Sequence, residues 1–239
     1  MTDLAQRFLS VLQKIEVASI AAGRESNAVR MLAVSKTFDA ALVQALWDKG
    51  QRAFGENYVQ EAIAKIEALK HLKPEIEWHL IGPLQSNKTA IVAENFDWVQ
   101  TIDRLKIAQR LNDQRPAHLP PLQVCIQVNV DGGKTKSGVD CTSSLQALLD
   151  MARQIGALPR LSLRGLLAIP EPESDASKQQ AVFAKVRLAF DFLNQNLKAD
   201  CQLDTLSMGM SADFEVAIAA GSTMVRIGSS IFGERQYAL

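Results

Sequence analysis

Leu122-Gln123-Val124-Cys125-Ile126-Gln127-Val128-Asn129-Val130 is the clearest strand in the chain. Working outward from it, short apolar runs of the same kind recur on both sides. Upstream are Met31–Ser35, Arg52–Phe54, Glu75–Ile81 and Asp97–Ile102. Downstream are Leu161–Ile169, Leu203–Met208 and Thr223–Ile227. The segments between them read as helices, among them Tyr58–Leu69, Thr142–Ile155, Ser177–Leu197 and Ala212–Ala220. A further helix precedes the first strand. Its Leu4, Phe8, Val11, Leu12 and Ile15 recur at steps of three and four, which stacks them on one face, and Gly23 closes it.

Strict alternation of strand and helix implies parallel strands joined by helical crossovers. Eight such units predict an α/β fold, a (β/α)8 TIM barrel with an extra N-terminal helix over about residues 1–22. The competing open, doubly wound sheet normally opens on a Gly-rich first turn, and this sequence has none there. No linker or low-complexity block interrupts the pattern, so one domain over 1–239 is expected, with no second domain.

Composition excludes several classes of function. In 239 residues, 26 Lys and Arg balance 26 Asp and Glu, so the cationic excess that nucleic acids or anionic membranes require is missing. No apolar run is long enough to span a bilayer, and Met1–Arg7 has no secretory pattern. Cys125, Cys141 and Cys201 are odd in number and widely spaced, which reads as reduced thiols in a cytoplasmic protein. His71, His79 and His118 are too scattered to predict a metal site.

In a parallel barrel the chemistry collects where strands end. Lys36 closes the first strand, so its amine is carried toward the mouth. Partial burial lowers a lysine pKa and makes the amine a nucleophile toward carbonyls. The plainer alternative is a lysine snorkelling to solvent. Ser207-Met208-Gly209-Met210-Ser211 follows the seventh strand and Gly228-Ser229-Ser230 the eighth, the usual phosphate site of this barrel. Together with Lys36 they point to a phosphate-bearing carbonyl compound. Arg226, two residues before Gly228, faces inward either as an ion-pair partner of Asp213 or Glu215, or as a donor to a ligand's ring nitrogen or phosphate.

Five stretches carry a family resemblance: Ala33–Thr37 (AVSKT), Phe54–Tyr58 (FGENY), Trp78–Lys88 (WHLIGPLQSNK), Ser207–Ser211 (SMGMS) and Gly221–Gly228 (GSTMVRIG). They resemble the YggS/PROSC family of pyridoxal phosphate homeostasis proteins, and the likeness runs from the N-terminal helix to Arg235. The resemblance implies an alanine-racemase-like barrel (PLP fold type III) that binds pyridoxal 5′-phosphate (PLP). It implies that Lys36 holds PLP as a Schiff base and that Ser211, Gly228 and Ser229 cradle its phosphate. Arg226 matches the arginine on the pyridine side, and Asn57, His79, Ser207 and Met208 match cavity-lining positions. Leu167, Ser229, Ala212 and Phe214 depart from the residues frequent in the family, but Ser229 keeps the hydroxyl.

A barrel holding PLP suggests racemisation, which needs an acid and a base on opposite faces of the substrate. Racemases resembling this barrel use a tyrosine from a second, β-rich domain. Ten residues follow Ser229, and the two tyrosines, Tyr58 and Tyr237, are poorly placed. An arginine beside the ring nitrogen cannot accept a proton from it, so the pyridine stays neutral and the ring is a poor electron sink. The expectation is a carrier, a monomer with no catalytic residue and no metal. It would release PLP to apo-enzymes, with amino acids competing for the aldehyde. Lys136, in the loop Asp131–Gly138, reads either as a residue steering release or as part of a solvated turn. The rival readings are a low-activity PLP-dependent racemase and a cofactor-free Schiff-base aldolase.

Overall fold

The computed structural model describes residues 2–130, 137–142, 144–173 and 175–233. Its core is a closed barrel of parallel strands. They are β1 (Arg30–Val34), β2 (Ala53–Glu56), β3 (Glu77–Leu80), β4 (Trp98–Ile102), β5 (Leu122–Asn129), β7 (Leu161–Ala168), β8 (Thr205–Met210) and β9 (Met224–Ile227). Each pairs with the next in this order, β4–β5 included, and the β1–β9 pairing closes the ring. The expected eight-stranded barrel is therefore present. A two-residue strand, β6 (Val139–Asp140), pairs with the end of β5 outside the ring and was not foreseen.

The outer layer is helical: α2 (Ala40–Trp47), α3 (Val59–Ala68), α4 (Thr89–Asn95), α5 (Leu105–Gln114), α6 (Leu145–Gly156), α7 (Ala176–Asn196) and α8 (Phe214–Ala219). Among the described residues, β9 is followed by a four-residue helix, α9 (Ser229–Phe232). The N-terminal helix α1 (Thr2–Ala21) packs against α8, α9 and α2, in the slot an eighth crossover helix would fill. That is why its Leu4, Phe8, Val11 and Ile15 are buried.

Small shifts from the expected boundaries have local causes. α6 starts at Leu145 because Ser144 caps it, its hydroxyl accepting from Ala147 N at 3.2 Å. β8 starts at Thr205, not Leu203, because Leu203 N donates to Asn194 Oδ1 of α7 at 2.7 Å and so is tied to the helix end.

Alternation along the strands sorts side chains into two sets. Outward-facing ones, such as Met31, Ala33, Val225, Ile227 and Met208, join the main core between barrel and helices. Inward-facing ones form two smaller apolar groups. One contains Leu32, Val34, Ala53, Ile81 and Met224, the other Trp98, Cys125 and Leu167. A string of polar side chains runs through the same interior, and its upper end reaches the mouth.

Candidate functional site

The turn after β1 carries Lys36. Thr37 sits at φ +69°, a left-handed conformation unusual for a β-branched residue. Its neighbours fix it there. Glu61 Oε1 accepts from Thr37 N at 2.5 Å, and Lys65 Nζ donates to the Ser35 carbonyl at 2.7 Å. Lys65 also donates to Glu56 Oε1 at 2.8 Å and Glu61 Oε1 at 2.6 Å, while the Ser35 hydroxyl donates to Glu56 at 2.6 Å. Burial pushes the Glu56 pKa above the ordinary carboxylate value, and Lys65 and Ser35 oppose that push. Lys36 is thus held between two anchored residues.

Lys36 lines a cavity of about 750 Å³ at the C-terminal mouth of the barrel, shared with Asn57, Ser211, Arg226, Gly228 and Ser229. The volume lies within the range of about 300–1,000 Å³ typical of small-molecule sites. The Ser211 hydroxyl accepts from the backbone N–H groups of Gly228 at 3.3 Å and Ser230 at 3.4 Å. Two N–H groups therefore already converge on one oxygen. Gly228 packs close: a Cβ there would lie 3.3 Å from the Val34 carbonyl oxygen. Asn57 Oδ1 is buried in the wall without a hydrogen-bond partner. Behind it a Cβ on Gly82 would lie 2.1 Å from the Asn57 carbonyl oxygen, which accounts for that glycine.

Arg226 is buried and donates to neutral acceptors, Ser207 O at 2.8 Å, Ser207 Oγ at 3.0 Å and Ala168 O at 2.8 Å. Burial lowers its pKa to about 10, with Asp213 opposing through space. The ion pair with Asp213 or Glu215 weighed from the sequence does not form; Asp213 instead accepts from Met210 N at 2.5 Å.

The structure brings together six of the nine residues expected at the site: Lys36, Asn57, Ser211, Arg226, Gly228 and Ser229. The other three stand elsewhere. Ser207 lies behind Arg226 as its acceptor. Met208 points outward into the main core, because it alternates with the inward-facing Ser207. His79 is fully buried inside the barrel, stacked on Trp98 at 5.0 Å between ring centroids. Lys136 and Tyr237 lie outside the described residues. Tyr58 is 56 % exposed, and no tyrosine is among the described residues lining the mouth.

Sequence reasoning missed Glu56, Lys65 and Gln100. Each left a signal, a charged or amide side chain inside an otherwise apolar run or, for Lys65, on the buried face of α3. Among the described residues no group of His, Cys, Asp or Glu is arranged to hold a metal, and no helix is long and apolar enough to cross a membrane.

Comparison with known proteins agrees with this geometry. Residues 16–236 match the family model for the alanine racemase N-terminal domain. The pyridoxal phosphate homeostasis protein of Escherichia coli K12 is 51% identical over 239 residues, covering 100% of this chain and 99% of that one. The structure of PipY from Synechococcus elongatus PCC7942 with PLP bound superposes with a TM-score of 0.81 at 35% identity, covering 96% of this chain and 100% of PipY. Alanine racemase of Clostridium difficile 630 shares the fold alone, with a TM-score of 0.68 at 16% identity over 95% of this chain and 57% of the racemase.

Proposed function

We infer, for a chain that belongs to the family of pyridoxal phosphate homeostasis proteins, that it binds pyridoxal 5′-phosphate at Lys36 and serves intracellular PLP homeostasis. One juxtaposition carries the reading. A lysine on a clamped turn and two backbone N–H groups converging on one oxygen share a single cavity. When bound, PLP supplies an aldehyde that condenses with a lysine amine and a conjugated ring that absorbs visible light.

The residues present fit that group. The N–H groups that now meet the Ser211 oxygen offer the contacts a phosphate oxygen takes, and the absent side chain of Gly228 lets them be approached closely. Asn57 Oδ1, unpartnered and buried, is an acceptor ready for a ligand donor. Arg226 would supply fixed positive charge in the same cavity. The name carried by the relatives and the PLP in PipY support the cofactor over a cofactor-free aldolase.

The same geometry supports a carrier without turnover of its own. Arg226 donates hydrogen bonds and accepts none, so it does not keep a ring nitrogen protonated. A ring left neutral in this way would be a weak electron sink. The chain works as one domain over residues 1–239, a cytoplasmic monomer that passes PLP to apo-enzymes. Cys125 and Cys141, buried and in no disulfide, support a reducing compartment.

Borohydride reduction with PLP, followed by peptide mapping, tests the reading. The expected result is a pyridoxyl tag on the peptide containing Lys36. A tag absent from that peptide overturns it.

A further inference from the structure

The polar string inside the barrel has a direction. Arginine only donates, so Ser207 Oγ accepts from Arg226 at 3.0 Å and sends its one hydrogen to Gln100 Oε1 at 2.7 Å. The Gln100 amide is turned with its oxygen to Ser207. Its nitrogen faces His79 Nδ1 at 2.8 Å and the Met224 sulfur at 3.2 Å, both acceptors. His79 therefore carries its proton on Nε2, which faces Glu77 Oε1 at 2.5 Å. Glu77 also accepts from Arg30 at 2.9 Å. Arg226 lies near the C-terminal end of β9, whereas Glu77 and Arg30 open β3 and β1. In the run Arg226–Ser207–Gln100–His79 each hydrogen bond is donated toward the end opposite the mouth, where the Glu77 carboxylate sits.

We propose that Gln100 and His79 are positioning residues for Arg226, holding the Ser207 hydroxyl as an acceptor so that the guanidinium keeps one orientation and its full charge at the mouth. The proposal rests on the PLP-binding reading for its consequence, not for its geometry. Three of the five N–H hydrogens of Arg226 are committed to Ser207 and Ala168. The remaining two, on Nε and Nη2, are left for a ligand in the cavity that Arg226 lines. Among the described residues no carboxylate touches the guanidinium; the string delivers its negative end at Glu77 instead. Without Gln100 the Ser207 hydrogen is free to turn, and one of the three anchors is lost.

The tests are ¹⁵N NMR of the His79 ring and PLP titration of Gln100→Leu and Gln100→Glu, with the visible absorption maximum of the bound cofactor recorded. In the wild type His79 is expected to be neutral with its proton on Nε2. Gln100→Leu is expected to weaken PLP binding about tenfold, the size of one lost hydrogen bond to a charged group, and to displace the absorption maximum. Gln100→Glu restores the acceptor for Ser207 and is expected to recover binding to within about threefold of wild type while His79 becomes an imidazolium between two carboxylates. A wild-type His79 protonated on Nδ1 overturns the proposal, whether or not Gln100→Leu folds. So do unchanged affinity and absorption in Gln100→Leu alongside normal borohydride labelling at Lys36. Failure of that labelling in the wild type counts against the PLP reading alone, since the NMR result stands without it.

Discussion

Ser211 Oγ and Gly228 N are 3.3 Å apart, so one hydrogen bond joins the ends of the neighbouring strands β8 and β9 at the mouth. The bond matters because it shows where the two loops direct their N–H groups. Gly228 permits the approach, since a Cβ there would come within 3.3 Å of the Val34 carbonyl oxygen and 3.5 Å of the Val34 Cβ. Gly228→Ala must push the loop outward by a few tenths of an ångström. PLP affinity is expected to fall about tenfold or more, the size of one hydrogen bond to a charged group, while affinity for pyridoxal, which lacks the phosphate, stays within about twofold. Absorbance titration with both compounds checks this. An equal loss for both removes the phosphate from these N–H groups.

Lys65 offers a stability prediction with a definite pH dependence. Its ammonium is buried between Glu56 and Glu61 at 2.8 and 2.6 Å. Lys65→Met leaves Glu56 fully buried without a cation, a change that costs about 3–5 kcal/mol. Burial already holds the Glu56 pKa above its ordinary value, and losing Lys65 raises it further. A carboxyl with a raised folded pKa contributes stability at low pH that is lost as pH rises through that pKa. The deficit of Lys65→Met is therefore larger at pH 8 than at pH 5. Urea denaturation at both values measures it, and a deficit independent of pH argues against an ionised Glu56.

His79 gives a dependence of opposite sign. Burial lowers its pKa below 6.5, against the pull of Glu77 and the weaker one of Asp97, with Arg30 adding to the lowering. Below about pH 6.5 the unfolded chain takes up a proton that the folded one refuses, so stability falls with acidification. Burial also opposes ionisation of Glu77, but the His79 N–H and Arg30 outweigh it and hold its pKa at about 2, so that group loses stability only below its ordinary value of 4.5. Between pH 7 and 5 His79 is the member of this pair that titrates. His79→Gln is less stable at pH 7 yet loses less on going to pH 5 than the wild type. Parallel urea curves at the two pH values decide this, and identical slopes reject a neutral buried His79.

Much of the fold was legible because each barrel strand is a short apolar run followed by a helix, a pattern that survives boundary errors of two residues. The mouth was legible for the same reason: Lys36, Ser211, Gly228 and Ser229 all directly follow strands. What the sequence hid were contacts between distant segments. Lys65 reaches Glu56 only because α3 folds back over β2, and Gln100 meets Ser207 only across the barrel interior. Its place amid the apolar residues of Trp98–Ile102 marked Gln100 as unusual, but no local rule names the partner of a buried amide. His79 was expected in the cavity wall; Ile81, the next inward-facing residue two positions on, lines the mouth, and His79 lies beneath it.

Gly209 ties the fold to the site most directly. It sits at φ +95° within β8, two residues before Ser211, at the break in register between Ser207 and Met210 where β8 leaves its regular pairing with β9. Only glycine adopts that conformation without strain, and space forbids a side chain as well. A Cβ would lie 2.6 Å from the Ala217 Cβ and 3.0 Å from the Phe214 Cα of α8. Gly209→Ala must move α8 or the strand end, at a cost of about 1–3 kcal/mol for the overpacking and a similar amount for the backbone. Either movement shifts Ser211 relative to Gly228. The variant is thus expected to lose thermal stability and PLP affinity together, whereas Gly156→Ala, with open space around its Cβ, changes neither. Thermal melts with and without PLP check the pairing. A Gly209→Ala protein that melts lower but binds PLP as tightly as wild type separates the bulge from the phosphate loop.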